Sequence, residues 1–145
     1  MTREFQVTFD CADPAAQAGF WAEVLGYQVE APPEGFETWP DALKAFGVPE
    51  DQWNSRSALR PVDGEGPRIF FQRVPEGKTV KNRVHLDVRV AAGETGDERM
   101  DLFEAEATRL EHLGATRAYR VDPAPPMEHG FITMRDPEGN EFCLD

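Results

Sequence analysis

The chain has 145 residues, near the commonest size of one domain, and 40% of them are apolar, enough to bury a core. Its formal net charge of −12 argues against a nucleic-acid partner, whose phosphates need Lys and Arg, and against anionic membranes. No apolar run approaches the ~20 residues that span a bilayer, no signal-peptide pattern opens the chain, and Cys11 and Cys143 make no disulfide framework, so a cytoplasmic protein is expected.

The first segment alternates. Phe5, Val7 and Phe9 point one way and Gln6, Thr8 and Asp10 the other, which predicts a strand with one face on a core. Asp13-Pro14 reads as an N-cap with proline at the first helical position. Ala16, Phe20, Trp21, Val24 and Leu25 then form one apolar helical stripe, and Gly26 is placed for a left-handed C-terminal cap. Tyr27 to Val29 begins the next strand. Asp63 to Pro67 is a turn, and Ile69 to Val74 a strand.

The pattern then returns. Val84, Leu86 and Val88 alternate with His85, Asp87 and Arg89, predicting a second opening strand. A helix follows over about 97–113, with Phe103, Ala107, Leu110 and Leu113 as its stripe and Gly114 at its end. Strands are predicted over Gly130 to Met134 and Glu141 to Leu144, joined by the tight turn Asp136-Pro137-Glu138-Gly139-Asn140. Each half therefore reads β-α-β-β-β, the first over about 1–77 and the second over about 82–145.

The halves differ in length. Gly26 to Gln72 is 46 positions and Gly114 to Cys143 is 29, so the first half carries an insertion of about 17 residues within 32–57. Trp39, Phe46 and Trp53 lie there, with a short helical pattern over 41–46. Two readings stand: an aromatic cover for a bare sheet face, or a lid over a pocket.

Three pieces now carry a resemblance. The helix end Phe20-Trp21-Ala22-Glu23-Val24-Leu25-Gly26-Tyr27, the strand Val84-His85-Leu86-Asp87-Val88 and the closing turn Asp136 to Asn140 with Glu141-Phe142 resemble, in this order, the vicinal oxygen chelate superfamily. That superfamily includes glyoxalase I, the fosfomycin- and bleomycin-resistance proteins and the extradiol dioxygenases. The stretch Arg68-Ile69-Phe70-Phe71-Gln72-Arg73-Val74-Pro75-Glu76 is most similar to its glyoxalase-like domains. The resemblance implies an α+β fold of two tandem βαβββ modules, their strands forming one cupped mixed sheet with helices on the outer face. It also implies a single domain over 1–145, a small-molecule ligand in the cup and a homodimer.

In the metal-dependent relatives, four ligands come from the opening and closing strands of the two modules. The resemblance carries these onto Gln6, Gln72, His85 and Cys143. The family's closing-strand ligands are usually Glu, and here Gln72 and Cys143 replace them. Two amides, one imidazole and one thiol mix hard and soft donors with little charge to offset a dication, so no metal is expected. Gln6, Thr8, Gln72, His85 and Cys143, with Trp39 and Trp53, are candidate ligand-binding residues. Asp87 and Glu141, which share the polar parity with His85 and Cys143, are candidate general bases, and Asp10 shares that parity in the first half. His112, late in the second helix, reads as a surface residue, and His129 as one at a loop rim.

The expected function is small-molecule binding without the usual metal. One alternative is a lyase or isomerase of the glyoxalase type, using either a divalent metal or a carboxylate base. Another is a non-catalytic structural or partner-binding domain.

Overall fold

The computed structural model describes residues 1–145, which form two compact units, Met1–Gly77 and Lys78–Asp145.

In the first unit, β1 (Gln6–Cys11) leads into α1 (Pro14–Leu25), β2 (Tyr27–Val29), α2 (Trp39–Ala45), a single 3₁₀ turn (Glu50–Gln52), β3 (Arg56–Pro61) and β4 (Arg68–Arg73). The sheet order is β1-β4-β3-β2, with β1 parallel to β4 and the other pairs antiparallel. The Asp13 carboxylate accepts the Ala16 N–H at 3.1 Å, Pro14 opens α1, and Gly26 takes φ +66° at its end, a conformation costly for any residue with a Cβ. The buried stripe of α1 (Phe20, Trp21, Val24) lies over the sheet residues Ile69, Phe71 and Leu59, with Phe9 stacked on Phe71 and 5.0 Å from the Trp21 ring. The register puts Gln6, Thr8, Asp10, Arg68, Phe70, Gln72, Arg56 and Ala58 on the opposite face. Phe5, expected in the core, precedes β1 and is 70% exposed.

The second unit repeats the plan with β5 (Asp87–Val88), α3 (Gly96–Glu111), β6 (Thr116–Val121), β7 (Phe131–Arg135) and β8 (Glu141–Leu144) in the order β5-β8-β7-β6. Again the first strand is parallel to the last. Met100, Phe103, Ala107 and Leu110 of α3 are buried, as are Ile132, Met134, Phe142 and Leu144 of the sheet. The opening strand is shorter than the alternation predicts. Only Asp87 and Val88 pair in register with β8, Leu86 contributes a carbonyl to Cys143 N–H, and Val84 is 82% exposed. The helix ends earlier than expected, at Glu111, and leaves Leu113 exposed.

No helix is long and apolar enough to cross a membrane.

Candidate functional site

The first unit contains a cavity of about 650 Å³, within the range of drug-sized ligand pockets. Its floor is the helix-free sheet face, through Arg56, Ala58, Arg68 and Phe70. Its wall is the inserted segment, through Trp39, Pro40, Leu43, Val48, Gln52 and Trp53. The inserted segment lies over the sheet face, with the cavity between them.

Polar contacts fasten the wall. Trp39 Nε1 donates to the Glu30 carbonyl at 2.8 Å, and Trp53 Nε1 to the Val48 carbonyl at 2.9 Å. Asn54 donates from Nδ2 to Asp13 at 2.8 Å and accepts the Ala15 N–H at 2.9 Å, tying the end of the insertion to the start of α1. The Asn54 bond, with the Ala16 N–H, holds the Asp13 carboxyl below the usual carboxylate range. Both indole N–H groups and the Asn54 amide are thus engaged by protein, leaving ring surface toward the cavity.

Charge is organised at one side. Arg68 forks onto Glu30, with Nε at 2.8 Å from Oε2 and Nη2 at 3.0 Å from Oε1, and Arg60 Nε approaches the same Oε2 at 2.7 Å. The Arg68 hydrogen bonds, reinforced by Arg60, outweigh partial burial and hold Glu30 below the usual carboxylate range. Arg68 also lies over the Phe70 ring, 5.3 Å from its centroid. Arg56, on the adjacent strand, is exposed and makes no ion pair. Sequence reasoning passed over Arg56, Arg68 and Glu30. The available signal was parity, since Arg68 shares a strand face with Phe70.

Of the polar residues proposed from the sequence, Gln6 accepts from Arg68 Nη1 at 3.2 Å and donates to Thr8 at 3.5 Å. Gln72 donates from Nε2 to Asp10 at 2.7 Å. Gln6 stands opposite Arg68 and Gln72 opposite Asp10, so the two amides are four residues, about 13 Å of strand, apart and do not converge. Neither they nor Thr8 line the cavity, whereas Trp39 and Trp53 do.

In the second unit, His85, Asp87 and Cys143 come together, with one donor atom of each within 4.8 Å of the others. His85 Nδ1 lies 2.9 Å from Asp87 Oδ1, and Cys143 Sγ 3.4 Å from Thr133 Oγ1. Burial pushes the Cys143 thiol above its usual range, and the Asp87 carboxylate adds to that against the Thr133 hydrogen bond. Cys143 is therefore a protonated thiol at neutral pH, poorly suited to nucleophilic attack. In the native protein it should react with iodoacetamide at pH 8 at least about tenfold more slowly than in urea, as read by peptide mass spectrometry. Equal rates would refute this. With its proton affinity raised by folding, the thiol's contribution to stability is complete below the ordinary thiol range and is lost as pH climbs above it.

Glu141 is fixed differently. Burial alone would raise its proton affinity, but the Asn82 N–H at 3.0 Å and Lys78 Nζ at 3.2 Å prevail and hold it below the usual range, which weakens it as a base. His112 Nδ1 lies 2.9 Å from the Thr108 carbonyl at the exposed end of α3, and His129 is exposed in the loop before β7.

The four family metal positions fit a dication poorly. The Gln6 oxygen already faces a guanidinium, and the Cys143 thiol would have to give up a proton held by burial. His85, Asp87 and Cys143 alone offer nitrogen, oxygen and sulfur donors that suit a borderline-soft ion such as zinc.

Two units with the same β-α-β-β-β order and the same strand arrangement define the fold of the vicinal oxygen chelate superfamily, as solved structures confirm. One is a variant of the fosfomycin resistance protein FosX from Listeria monocytogenes, complexed with Mn(II) and a dihydroxypropylphosphonic acid (TM-score 0.61, 10% identity, 99% of this chain and 89% of that one). Another is a glyoxalase/bleomycin resistance protein/dioxygenase family enzyme from Burkholderia phytofirmans (TM-score 0.58, 16% identity, 96% and 94%). A third is FosX from Mesorhizobium loti (TM-score 0.58, 13% identity, 99% and 91%). The chain belongs to the glyoxalase-like domain family, whose model matches residues 6–144. No curated protein sequence matches it significantly.

Proposed function

We propose that this glyoxalase-like protein binds a small organic molecule in the cavity of its first unit, without a metal ion. The observation that carries this reading is the wall itself. An inserted segment sets two indoles and several aliphatic side chains over a sheet face that would otherwise be open, around about 650 Å³ of space. Large apolar surface facing a cavity, with few polar groups at its edge, is the usual make-up of a ligand site. The Gln6–Arg68 contact and the protonated Cys143 support the metal-free part. Two buried free thiols suit a reducing, cytoplasmic setting.

Metal analysis of protein purified without chelators should find less than about one-tenth equivalent of zinc, manganese, nickel or iron, and calorimetric titration with those ions should give no tight binding. A stoichiometric ion lost in His85→Ala would sink the metal-free reading.

One observation favours a second reading, a metal-dependent lyase or isomerase: the convergence of His85, Asp87 and Cys143. Those three residues would hold the ion, which when bound would supply Lewis-acid stabilisation of a developing negative charge on substrate oxygen.

A further inference from the structure

We infer that the ligand of the first-unit cavity is a flat aromatic or fused-ring organic anion, its acid group on Arg56 and its ring system against Trp39, Trp53 and Phe70. This rests on the cavity being a binding site at all.

The charged and aromatic lining groups decide the class, with Gln52, Ser55 and Ser57 as the remaining polar side chains of the lining. Both indole N–H groups are bonded to backbone carbonyls, and both ends of the Asn54 amide are bonded to α1 and its cap. The Glu30 carboxylate is shared between Arg68 and Arg60. Arg68 in turn has Nε, Nη1 and Nη2 engaged by Glu30 and Gln6. Arg56 remains, the lining cation without an ion-pair partner. The nearby carboxylate of Asp10, two strands away in register, is held by Gln72. An unpaired guanidinium beside an apolar wall recognises a carboxylate or sulfonate through its planar fork.

The charge of the lining agrees. Its charged residues are Arg56, Arg68 and Glu30, which leaves a positive excess in a chain whose net charge is −12. Such a local reversal attracts a small anion that the rest of the surface repels. The indoles, with their N–H groups engaged elsewhere, present π-faces and edges and no hydrogen-bond donor, which favours an aromatic body against that wall.

A matched pair of fluorescent probes tests this on the full chain: 8-anilinonaphthalene-1-sulfonate and its neutral relative N-phenyl-1-naphthylamine, which lacks the sulfonate. The sulfonate should bind about tenfold more tightly at low salt, with the gap shrinking as salt is added. Arg56→Gln should bring the two probes to within about twofold, while Arg3→Gln, at an exposed site outside the cavity, should leave the gap intact. Trp53→Ala should weaken both probes by about fivefold or more. Equal affinities in the native protein, or a gap that survives Arg56→Gln, would overturn the ligand class while leaving the cavity as a binding site, provided Trp53→Ala still weakens both probes. If neither probe binds, or if binding is indifferent to Trp53→Ala, the ligand class and the binding reading fall together.

Discussion

Trp21→Ala should destabilise the first unit by about 3–5 kcal/mol, read as a lowered midpoint in urea unfolding followed by far-UV circular dichroism. Trp21 is 1% exposed, packs at 5.0 Å against Phe9 and meets Phe20 edge-on at 5.8 Å. Phe9 in turn stacks on Phe71 at 5.4 Å. Truncation removes the largest apolar side chain of α1 and leaves a void that backbone relaxation fills only in part. The effect should also reach the cavity, because Phe71 alternates along β4 with Arg68-side neighbour Phe70, which forms its floor. Trp21→Phe should recover most of the loss. A drop of less than about 1 kcal/mol for the alanine variant would mean that this aromatic stack is not what holds α1 to its sheet.

Asp136→Ala should cost about 2–4 kcal/mol, although the residue sits in a turn. The residue is 3% exposed, and its carboxylate accepts from Glu138 N–H at 2.9 Å, Asn140 N–H at 3.0 Å and Asn140 Nδ2 at 2.9 Å. Its own N–H donates to the Asn140 carbonyl at 2.8 Å. Removing the side chain leaves several donors of the β7–β8 turn without partners. That turn sets the register in which Thr133 faces Cys143, so the variant should also speed alkylation of Cys143. Thermal unfolding indistinguishable from the native protein, together with an unchanged alkylation rate, would remove Asp136 from this role.

Much of the fold is written in local pattern. The Asp13-Pro14 start and the Gly26 end of α1 each depend on contacts no more than four residues away, and the duplicated strand–helix plan depends on period alone. Pattern misled where exposure is decided by distant packing. Val84 and Phe5 continue the right alternation, yet both lie outside any strand and in solvent, because nothing packs on them. The site was legible only in its apolar part. Trp39 and Trp53 in an inserted segment imply something to cover, whereas the Glu30–Arg68 fork joins residues 38 apart and has no local signature. Arg56 was hidden for another reason: it lies at the start of β3, within the stretch read as insertion, so its place on the sheet face depends on a strand boundary that periodicity does not fix.

The fastening of the cavity wall has an evolutionary corollary. Its attachments include the Glu30 carbonyl, Asn54 and the Asp51 carbonyl, which accepts from Arg73, and the contiguous stretch between Glu30 and Asn54 supplies almost all of the wall while the floor belongs to the sheet. Exchange of residues 31–53 for those of another glyoxalase-like chain would therefore reshape what the cavity accepts and leave Trp21, Phe71 and the strand register untouched. Under the proposed reading, the indole wall would be an interchangeable part, while Arg56 and Phe70 would stay with the scaffold.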